Sequence, residues 1–198
     1  MNALKLFCRH VLSLVIVLLP WNSTSQAAPP LEETLQFGNF GDVHIYRSSE
    51  QPKHVVLLVS GDGGWASIDK SLAAALAADG IPGVGLDSLH YFWTRRTPDE
   101  AGRDLRRILD HYLAAWQTDK VLLIGYSRGA DVLPFMASRL PPELTARTSL
   151  IALLGAEHSV DFEFRIADWL PGSMKDAPYR VQPEVEKLLG KNVLCIYG

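Results

Sequence analysis

The chain has 198 residues, of which 47% are hydrophobic and 21% charged, and its formal net charge at neutral pH is −3. One core serves a chain of this length, and the composition excludes an intrinsically disordered protein. The negative charge also argues against a general affinity for nucleic acid, so we expect no nucleic-acid partner.

The N-terminus predicts a secretory signal peptide. Lys5 and Arg9 give it a basic start, residues 11–19 are mostly apolar, and small residues follow, with cleavage expected after residue 27. The apolar run is much shorter than the roughly 20 residues that a membrane-spanning helix needs, so we favour export with cleavage over a retained anchor. We expect the remainder, residues 28–198, to form a single domain.

Cleavage would change the charge balance and the cysteine content of the chain. Lys5 and Arg9 would leave with no acidic residue, so 19 basic residues become 17 against 22 acidic ones, and the net charge becomes −5. Cys195 would be the one cysteine left, which rules out an intramolecular disulfide, and no cysteine and histidine cluster has the spacing of a zinc site. We therefore predict no metal and no cofactor.

Strand patterns alternate with helix patterns along the rest of the chain. The strand candidates are residues 42–48, 54–60, 83–88, 120–127, 149–155 and 191–198, and the helix candidates are residues 67–78, 97–116 and 130–140. Most of these strands are Val- and Leu-rich runs, as expected for strands that are buried on both faces of a parallel sheet. Thr97 followed by Pro98 predicts the start of the longest helix, and Gly80 predicts the end of the first. The alternation predicts an α/β fold, with a mostly parallel sheet and helices on both faces.

Ser127 lies at the centre of the sequence Gly125-Tyr126-Ser127-Arg128-Gly129, between a strand pattern and a helix pattern. A strand that turns abruptly into a helix holds the turn residue in strained geometry above the sheet, and small residues two positions away give clearance. The helix that follows points its N–H groups and the positive end of its dipole at the turn, where an oxyanion would be stabilised. The pattern predicts a nucleophilic Ser127, and the alternative is a tight turn whose serine only caps the helix.

A second feature is the glycine loop, residues 60–65, which follows the strand candidate at residues 54–60. In serine hydrolases built on such sheets, one oxyanion donor is the N–H of the residue after the nucleophile, here Arg128, and another comes from a loop in this position. Glycines let the backbone approach a substrate closely, so Gly61 and Asp62 are the candidate donors. The alternative is a flexible turn that only leads into the next helix.

Three long strings, residues 57–100, 121–144 and 161–170, resemble the VirJ/AcvB family of bacterial virulence proteins, which have an α/β-hydrolase fold. The resemblance implies an exported, periplasmic protein associated with virulence and type IV secretion, so secretion-system proteins are candidate partners. It also implies hydrolysis of a lipid or small ester at the membrane surface, in particular of aminoacylated phosphatidylglycerol in its lysyl form. Ser127 would then be the nucleophile, with Gly61 and Asp62 in the oxyanion hole.

The acid and the histidine that should assist the serine have no clear candidates. In this fold they follow late strands, in the order Ser, Asp or Glu, His. Residues 192–198 resemble the strand that leads to the acid, and the sequence ends there, so we expect a chain truncated at its C-terminus, with weak or absent turnover. His158 and Asp161 are a poor substitute because their order is reversed. A non-catalytic, secretion-associated binding module or an inactive fragment is therefore the alternative function.

Aromatic and basic side chains follow the third strand candidate, at the end of the strand where such sheets bind ligands. Tyr91 and Trp93 are candidates for contact with lipid or acyl groups. Arg95 and Arg96 are candidates for pairing with phosphate. The alternative places the aromatic rings in the core under the next helix and the arginines in solvent. Trp65, at the end of the glycine loop, completes the candidate substrate contacts.

Residues 161–169 alternate charged and apolar side chains, with Phe162 and Phe164 among the apolar ones. The segment could be an arm or lid above Ser127, but the period of two favours an edge strand or a packed excursion. Asp131, one helical turn after the serine, is expected to interact with the first turn of its own helix rather than to serve as the triad acid.

Overall fold

The computed structural model describes residues 32–48, 51–165 and 177–197. The predicted signal peptide, its cleavage site and residues 166–169 of the alternating segment lie outside the described residues. Within the described ranges, no helix combines the length and the apolar character that crossing a membrane requires.

The described residues contain nine strands. In chain order they are β1 (Glu32–Gln36), β2 (Asp42–Tyr46), β3 (Val55–Val59), β4 (Gly83–Leu86), β5 (Val121–Tyr126), β6 (Thr148–Leu154), β7 (Ser159–Val160), β8 (Tyr179–Arg180) and β9 (Val193–Ile196). Seven of them form one sheet in the order β1-β2-β4-β3-β5-β6-β9, and β7 pairs with β8 separately. The run β4-β3-β5-β6-β9 is parallel, while β1 and β2 are antiparallel additions at one edge. The prediction of a mostly parallel sheet is confirmed.

Helices lie between the strands and cover both faces of the large sheet. They are a 3-10 helix (Gly38–Phe40), α1 (Ser67–Ala78), α2 (Ser88–Phe92), α3 (Pro98–Ala115), α4 (Arg128–Ala137), α5 (Pro142–Arg147) and α6 (Val181–Glu186). Residues of α3 and α4 belong to the larger hydrophobic cluster on one face, and residues of α1 belong to the smaller cluster on the other. The α/β prediction therefore holds for the helices as well.

The central strand β3 shows why its sequence is apolar at every position. Val55, Leu57 and Val59 belong to the cluster under α3 and α4, whereas Val56 and Leu58 belong to the cluster under α1. Successive side chains of a strand point to opposite faces, so a strand covered on both faces has no exposed position. All five β3 residues are accordingly buried.

Several short elements were not predicted from the sequence, among them β1 and α2. All five residues of β1 are exposed, and its position is set by antiparallel pairing with β2, with Glu32 opposite Tyr46. Helix α2 is little more than one turn, and it is capped by Asp87, whose carboxylate accepts the His90 N–H at 3.0 Å. Neither element is long enough to show a clear apolar period.

The register of the parallel strands brings three loops together. Val59 of β3 lies opposite Gly125 of β5, which in turn lies opposite Leu153 of β6. Loops that follow parallel strands leave the sheet at the same edge. The glycine loop, Ser127 and the loop after β6 therefore share one end of the sheet.

The strand β9 forms the edge of the sheet beyond β6. It pairs with β6 from Ile151 opposite Val193 onwards, and in the described part of the chain no strand pairs with its outer side. Leu194, Ile196 and Tyr197 are 46%, 50% and 69% exposed. In the described part of the chain, the β9 edge is therefore apolar and partly exposed.

Replacing Thr97 with alanine should destabilise the protein by about 1–2 kcal/mol. The Thr97 hydroxyl accepts the Glu100 N–H at 3.2 Å, and the Glu100 carboxylate accepts the Thr97 N–H at 2.8 Å. These bonds satisfy N–H groups at the start of α3 that have no partner within the helix. Urea unfolding measures the loss, and Thr97→Ser, which keeps the hydroxyl, should retain most of the stability. Equal losses in the alanine and serine variants would contradict the capping role.

Candidate active site

Ser127 occupies a sharp turn between β5 and α4, with φ 51° and ψ −121°. A residue other than glycine in such a conformation costs on the order of 1–3 kcal/mol, so its surroundings must hold it there. Its N–H donates to the Leu154 carbonyl at 2.8 Å, and its carbonyl accepts the Ala130 N–H at 2.7 Å. The Ser127 side chain makes no capping hydrogen bond to α4. The alternative in which this serine only caps the helix is therefore not supported.

The glycines on either side of Ser127 are required by close backbone contacts. A Cβ atom on Gly125 would lie 2.4 Å from the Gly129 carbonyl oxygen. A Cβ atom on Gly129 would lie 2.0 Å from the Val59 carbonyl oxygen. Helix α4 thus starts directly against β3 and β5, and this is the clearance that the sequence pattern predicts.

The glycine loop lies beside Ser127. A Cβ atom on Gly61 would be 3.1 Å from the Ser127 Cβ atom. The Gly61 carbonyl oxygen accepts the Ser88 hydroxyl at 2.8 Å and the Gly64 N–H at 3.1 Å. Because a trans peptide unit holds its C=O and the following N–H in opposite directions, the Asp62 N–H points away from Ser88. Of the two candidate donors in the loop, Asp62 is the one whose amide direction is fixed by these bonds.

The Arg128 side chain packs against neighbouring segments instead of extending into solvent. It is only 11% exposed, and its Nη1 donates to Asp62 Oδ1 at 3.2 Å. Its Nη2 donates to the carbonyls of Asp161 and Glu163 at 2.7 and 2.8 Å. The guanidinium also lies 5.8 Å from the ring centroid of Phe164, within the range of a cation–π contact.

Ser127 opens into a cavity of about 360 Å³. Its described walls come from the glycine loop, the first turn of α4 and the loop after β6. The arginines that line it are Arg95, Arg128 and Arg165. The carboxylates that line it are Asp62, Asp131, Glu157 and Asp161. The cavity is therefore strongly charged, and none of its described lining residues is a histidine.

Asp131 is the buried carboxylate of this cavity, with 5% of its surface exposed. Burial raises the pKa of Asp131 to about 7, because the charged form loses solvation, although the hydrogen bond from the Glu157 N–H lowers it. That bond is 2.6 Å long and joins Asp131 Oδ1 to the loop after β6. The sequence placed Asp131 against the first turn of its own helix, but its hydrogen-bond partner comes from a different loop.

Two of the predicted substrate contacts lie at or near the cavity. Arg95 lines it directly. Trp93 is 58% exposed, and its ring stacks on Phe164 with the centroids 5.4 Å apart. Phe164 in turn packs on the Arg128 guanidinium, so Trp93 is connected to the site through a ring that is itself buried.

The structure does not bring Tyr91, Arg96 or Trp65 into the cavity. Tyr91 is 2% exposed, and its hydroxyl donates to Asp104 at 2.8 Å, so it packs in the core as the alternative interpretation held. Arg96 lies over the Tyr91 ring, 5.0 Å from its centroid. Trp65 belongs to the hydrophobic cluster on the opposite face of the sheet, where it stacks on His44. The local sequence correctly predicts that these residues follow strand ends. It does not predict the direction of their side chains, which depends on packing against distant parts of the chain.

Residues 161–165 form a packed excursion, as the alternation favours. Phe162 is fully buried and Phe164 is 8% exposed. The segment is joined to the chain after α2 by two backbone bonds, from the Arg96 N–H to the Phe162 carbonyl at 2.9 Å and from the Phe164 N–H to the Phe92 carbonyl at 2.7 Å. Asp161 lines the cavity, whereas the exposed His158 does not. The structure therefore does not assemble this pair as a base and acid for Ser127.

Several lining residues were not among the predicted site residues. Glu157 comes from the loop after β6, Ser159 is the first residue of β7, and Arg165 comes from the packed excursion. Glu157 could have been found, since it lies two residues after the end of a predicted buried strand and strand ends share one edge. Arg165 carries no such signal, because its position depends on how Phe162 and Phe164 fill the core.

Comparison with known sequences identifies one family. A family model described as bacterial virulence protein (VirJ) matches residues 53–198. No curated protein matches the chain.

Comparison with solved structures identifies many similar folds. Est1E from Butyrivibrio proteoclasticus has a TM-score of 0.58 at 12% identity, covering 84% of this chain and 77% of that one. A dienelactone hydrolase-like promiscuous phosphotriesterase from metagenomic libraries has a TM-score of 0.56 at 13% identity, covering 86% and 82%. Poly(aspartic acid) hydrolase-1 from Sphingomonas sp. KT-1 has a TM-score of 0.55 at 16% identity, covering 85% and 71%. At these identities the likeness shows the α/β-hydrolase fold, and the reaction must be argued from the site.

Proposed function

Since this chain belongs to the VirJ family of bacterial virulence proteins, we propose that it is a virulence-associated serine hydrolase that reacts with esters through Ser127. The observation that carries the proposal is the position of Ser127. It stands at a strained turn, beside the glycine loop and at the opening of a charged cavity. A strained backbone that the surrounding structure maintains is typical of functional sites.

The geometry supports the following reaction. The Ser127 oxygen attacks the ester carbonyl carbon, and the carbonyl oxygen gains the negative charge. The Arg128 and Asp62 N–H groups stabilise that charge, with the positive end of α4 behind them. The alcohol then leaves with a proton, and water releases the acyl group from Ser127. A base must take the serine proton for rapid attack, and no histidine lines the described part of the cavity.

We assign the substrate to the class of aminoacylated phosphatidylglycerol, in particular its lysyl form, at the periplasmic face of the membrane. Its ammonium groups match the carboxylates of Glu157 and Asp161, and its phosphodiester matches the guanidinium of Arg95. The exposed Trp93 ring is of the kind that lies at the membrane–water interface. Release of free lysine from vesicles of this lipid, lost in a Ser127→Ala variant, is the corresponding measurement.

One observation favours a second function. A cavity whose described lining contains no histidine also suits a binding module that keeps the hydrolase fold without its chemistry. Such a module would take a lipid or a secretion-system protein as its partner. A Ser127→Ala strain that keeps its virulence phenotype would favour this function, and loss of the phenotype would favour the hydrolase.

A fluorophosphonate probe should label the protein at Ser127, because it reacts with nucleophilic serines. The Ser127→Ala variant should not be labelled. Mass spectrometry of the labelled peptide measures the site of attachment. Ser159→Ala is the matched control, because it removes another serine of the same cavity and should leave the label on Ser127. Folded wild-type protein that takes no label would contradict the hydrolase and leave the binding module as the better account.

A further inference from the structure

We propose that the side chain of Arg128 is a positioning residue, which ties the glycine loop to residues 161–165 and so keeps the Asp62 amide at Ser127. This inference rests on the proposed function, because it assigns a role in forming the oxyanion hole. The role of the Arg128 side chain is separate from that of its backbone N–H, which every substitution except proline retains.

The Arg128 guanidinium forms hydrogen bonds with both the glycine loop and residues 161–165. Nη1 donates to the Asp62 carboxylate at 3.2 Å, and Nη2 donates to the Asp161 and Glu163 carbonyls at 2.7 and 2.8 Å. Arginines are mostly exposed, whereas this one is mostly buried: its Nη1 and Nη2 bond to three acceptors, and its Nε has no partner among the described residues. The guanidinium carbon also lies 5.8 Å from the ring centroid of Phe92 and 5.8 Å from that of Phe164, and these contacts restrict it further.

Residues 161–165 are a firm support for this tie. Phe162 is fully buried and makes edge contacts with the rings of Phe92 and Phe135 at 5.4 Å. The two backbone bonds to the chain after α2 fix the segment independently of Arg128. The carbonyls that accept from Nη2 are therefore held by the core.

The middle of the glycine loop has less support of its own than its ends, because Asp62 and Gly63 are exposed whereas Gly61 and Gly64 are buried. The Asp62 side chain is 51% exposed, and Gly63 next to it has no atom within 4 Å of the position of a Cβ atom. On one side the loop is held at the Gly61 carbonyl by Ser88. The Arg128 guanidinium holds it from the other side. The bonds to the Gly61 carbonyl set the direction of the peptide unit between Gly61 and Asp62, and we expect its Asp62 end to shift away from Ser127 when the tie to Arg128 is removed.

Lysine cannot replace arginine in this arrangement. The guanidinium presents five N–H donors in a rigid plane, whereas an ammonium is a single point with three donors. Arg128→Lys keeps the positive charge and most of the side-chain length, but it cannot reach acceptors on both segments at once. Arg128→Lys therefore tests whether the planar arrangement of guanidinium donors is needed, and not whether the positive charge is needed.

The experiment measures the rate at which a fluorophosphonate labels Ser127 in the purified protein at several probe concentrations. The data give two quantities, the maximal labelling rate and the probe concentration at half of that rate. Oxyanion donors act on the transition state, so Arg128→Lys should lower the maximal rate by roughly 10- to 100-fold and leave the half-saturating concentration nearly unchanged. Oxyanion-hole catalysis persists in serine hydrolases that lack their base, so the rate reports on the tie even if Ser127 is weakly activated. A purely structural role of Arg128 would not lower the maximal rate while leaving the half-saturating concentration unchanged.

Asp62→Ala removes the carboxylate that Arg128 binds and keeps the Asp62 backbone amide. It should slow labelling to a similar extent, and it tests the proposal even if Arg128→Lys folds poorly. The double variant should be no slower than the slower single variant, since both remove one link. Asp62→Asn keeps an acceptor for Nη1 and should retain most of the rate. Additive losses in the double variant would overturn the proposal.

Arg139→Lys is the matched control. Arg139 follows α4 and is likewise tied to carboxylates, Asp99 and Glu184, but it is not among the residues that line the cavity. This variant should lower the melting temperature and leave the maximal labelling rate unchanged. Equal rates in wild type and Arg128→Lys would overturn the tie alone. A wild type that takes no label at Ser127 would overturn the proposed function, and the tie with it.

Discussion

The Gly129→Ala variant is expected to lose about 4 kcal/mol of stability or more, which is a large fraction of the margin of a typical domain. The added Cβ atom would stand 2.0 Å from the Val59 carbonyl oxygen and 2.7 Å from that of Ser60. Both are backbone atoms of a buried strand end and cannot rotate away as a side chain would. Either α4 or β3 must move, and the Ser127 turn moves with it. Urea unfolding and the labelling rate of Ser127 measure the two consequences.

Gly63→Ala is the control for this substitution. Gly63 lies in the same end of the sheet, but a Cβ atom there meets nothing within 4 Å. Its stability should stay within about 0.5 kcal/mol of wild type, as for other surface changes that break no contact. A Gly129→Ala protein as stable as Gly63→Ala would show that α4 does not start as close to β3 as described.

The sheet and its main helices could be predicted because each has a signal within its own residues. The buried strands β3 and β5 are continuous apolar runs, and α3 carries a cap, a proline and an amphipathic face. The strand β1 has no such signal, because pairing with β2 alone determines its structure. Sequence patterns therefore report burial and capping well, and pairing of an exposed strand poorly.

The candidate site divides in the same way. Ser127 and the glycine loop could be predicted because the turn, the clearance and the loop are each encoded within a few neighbouring residues. Tyr91 could not be assigned, since its local sequence fits both a cavity wall and the core. The Asp104 carboxylate, distant in sequence and buried, decides in favour of the core by accepting the Tyr91 hydroxyl. The hydrogen bonds of the Arg128 and Asp131 side chains also join segments that are distant in the sequence. Local sequence patterns therefore do not predict them.

The Asp131→Asn variant should be more stable than wild type at pH 8, by up to about 4 kcal/mol, and nearly equal to it at pH 4. Burial raises the pKa of Asp131 from 3.8 to about 7 in the folded protein. Between these values the folded state binds more protons than the unfolded state, so the free energy of unfolding falls as the pH rises through this window. Asparagine carries no charge, and its side-chain oxygen can still accept the Glu157 N–H. Urea unfolding at pH 4, 6 and 8 measures the difference between the two proteins.

The charges around Asp131 determine how much of this difference is seen. Glu157 and Asp62 raise its pKa, and Arg128 lowers it, so removal of the Asp131 charge relieves repulsion as well as desolvation. Asp131→Leu serves as the control, because it also lacks the charge but leaves the Glu157 N–H without its acceptor. It should be less stable than Asp131→Asn at every pH, by about 1–3 kcal/mol. The prediction is wrong if the free energies of unfolding of wild type and Asp131→Asn change by the same amount between pH 4 and pH 8. That result would show that Asp131 ionises freely in the folded protein.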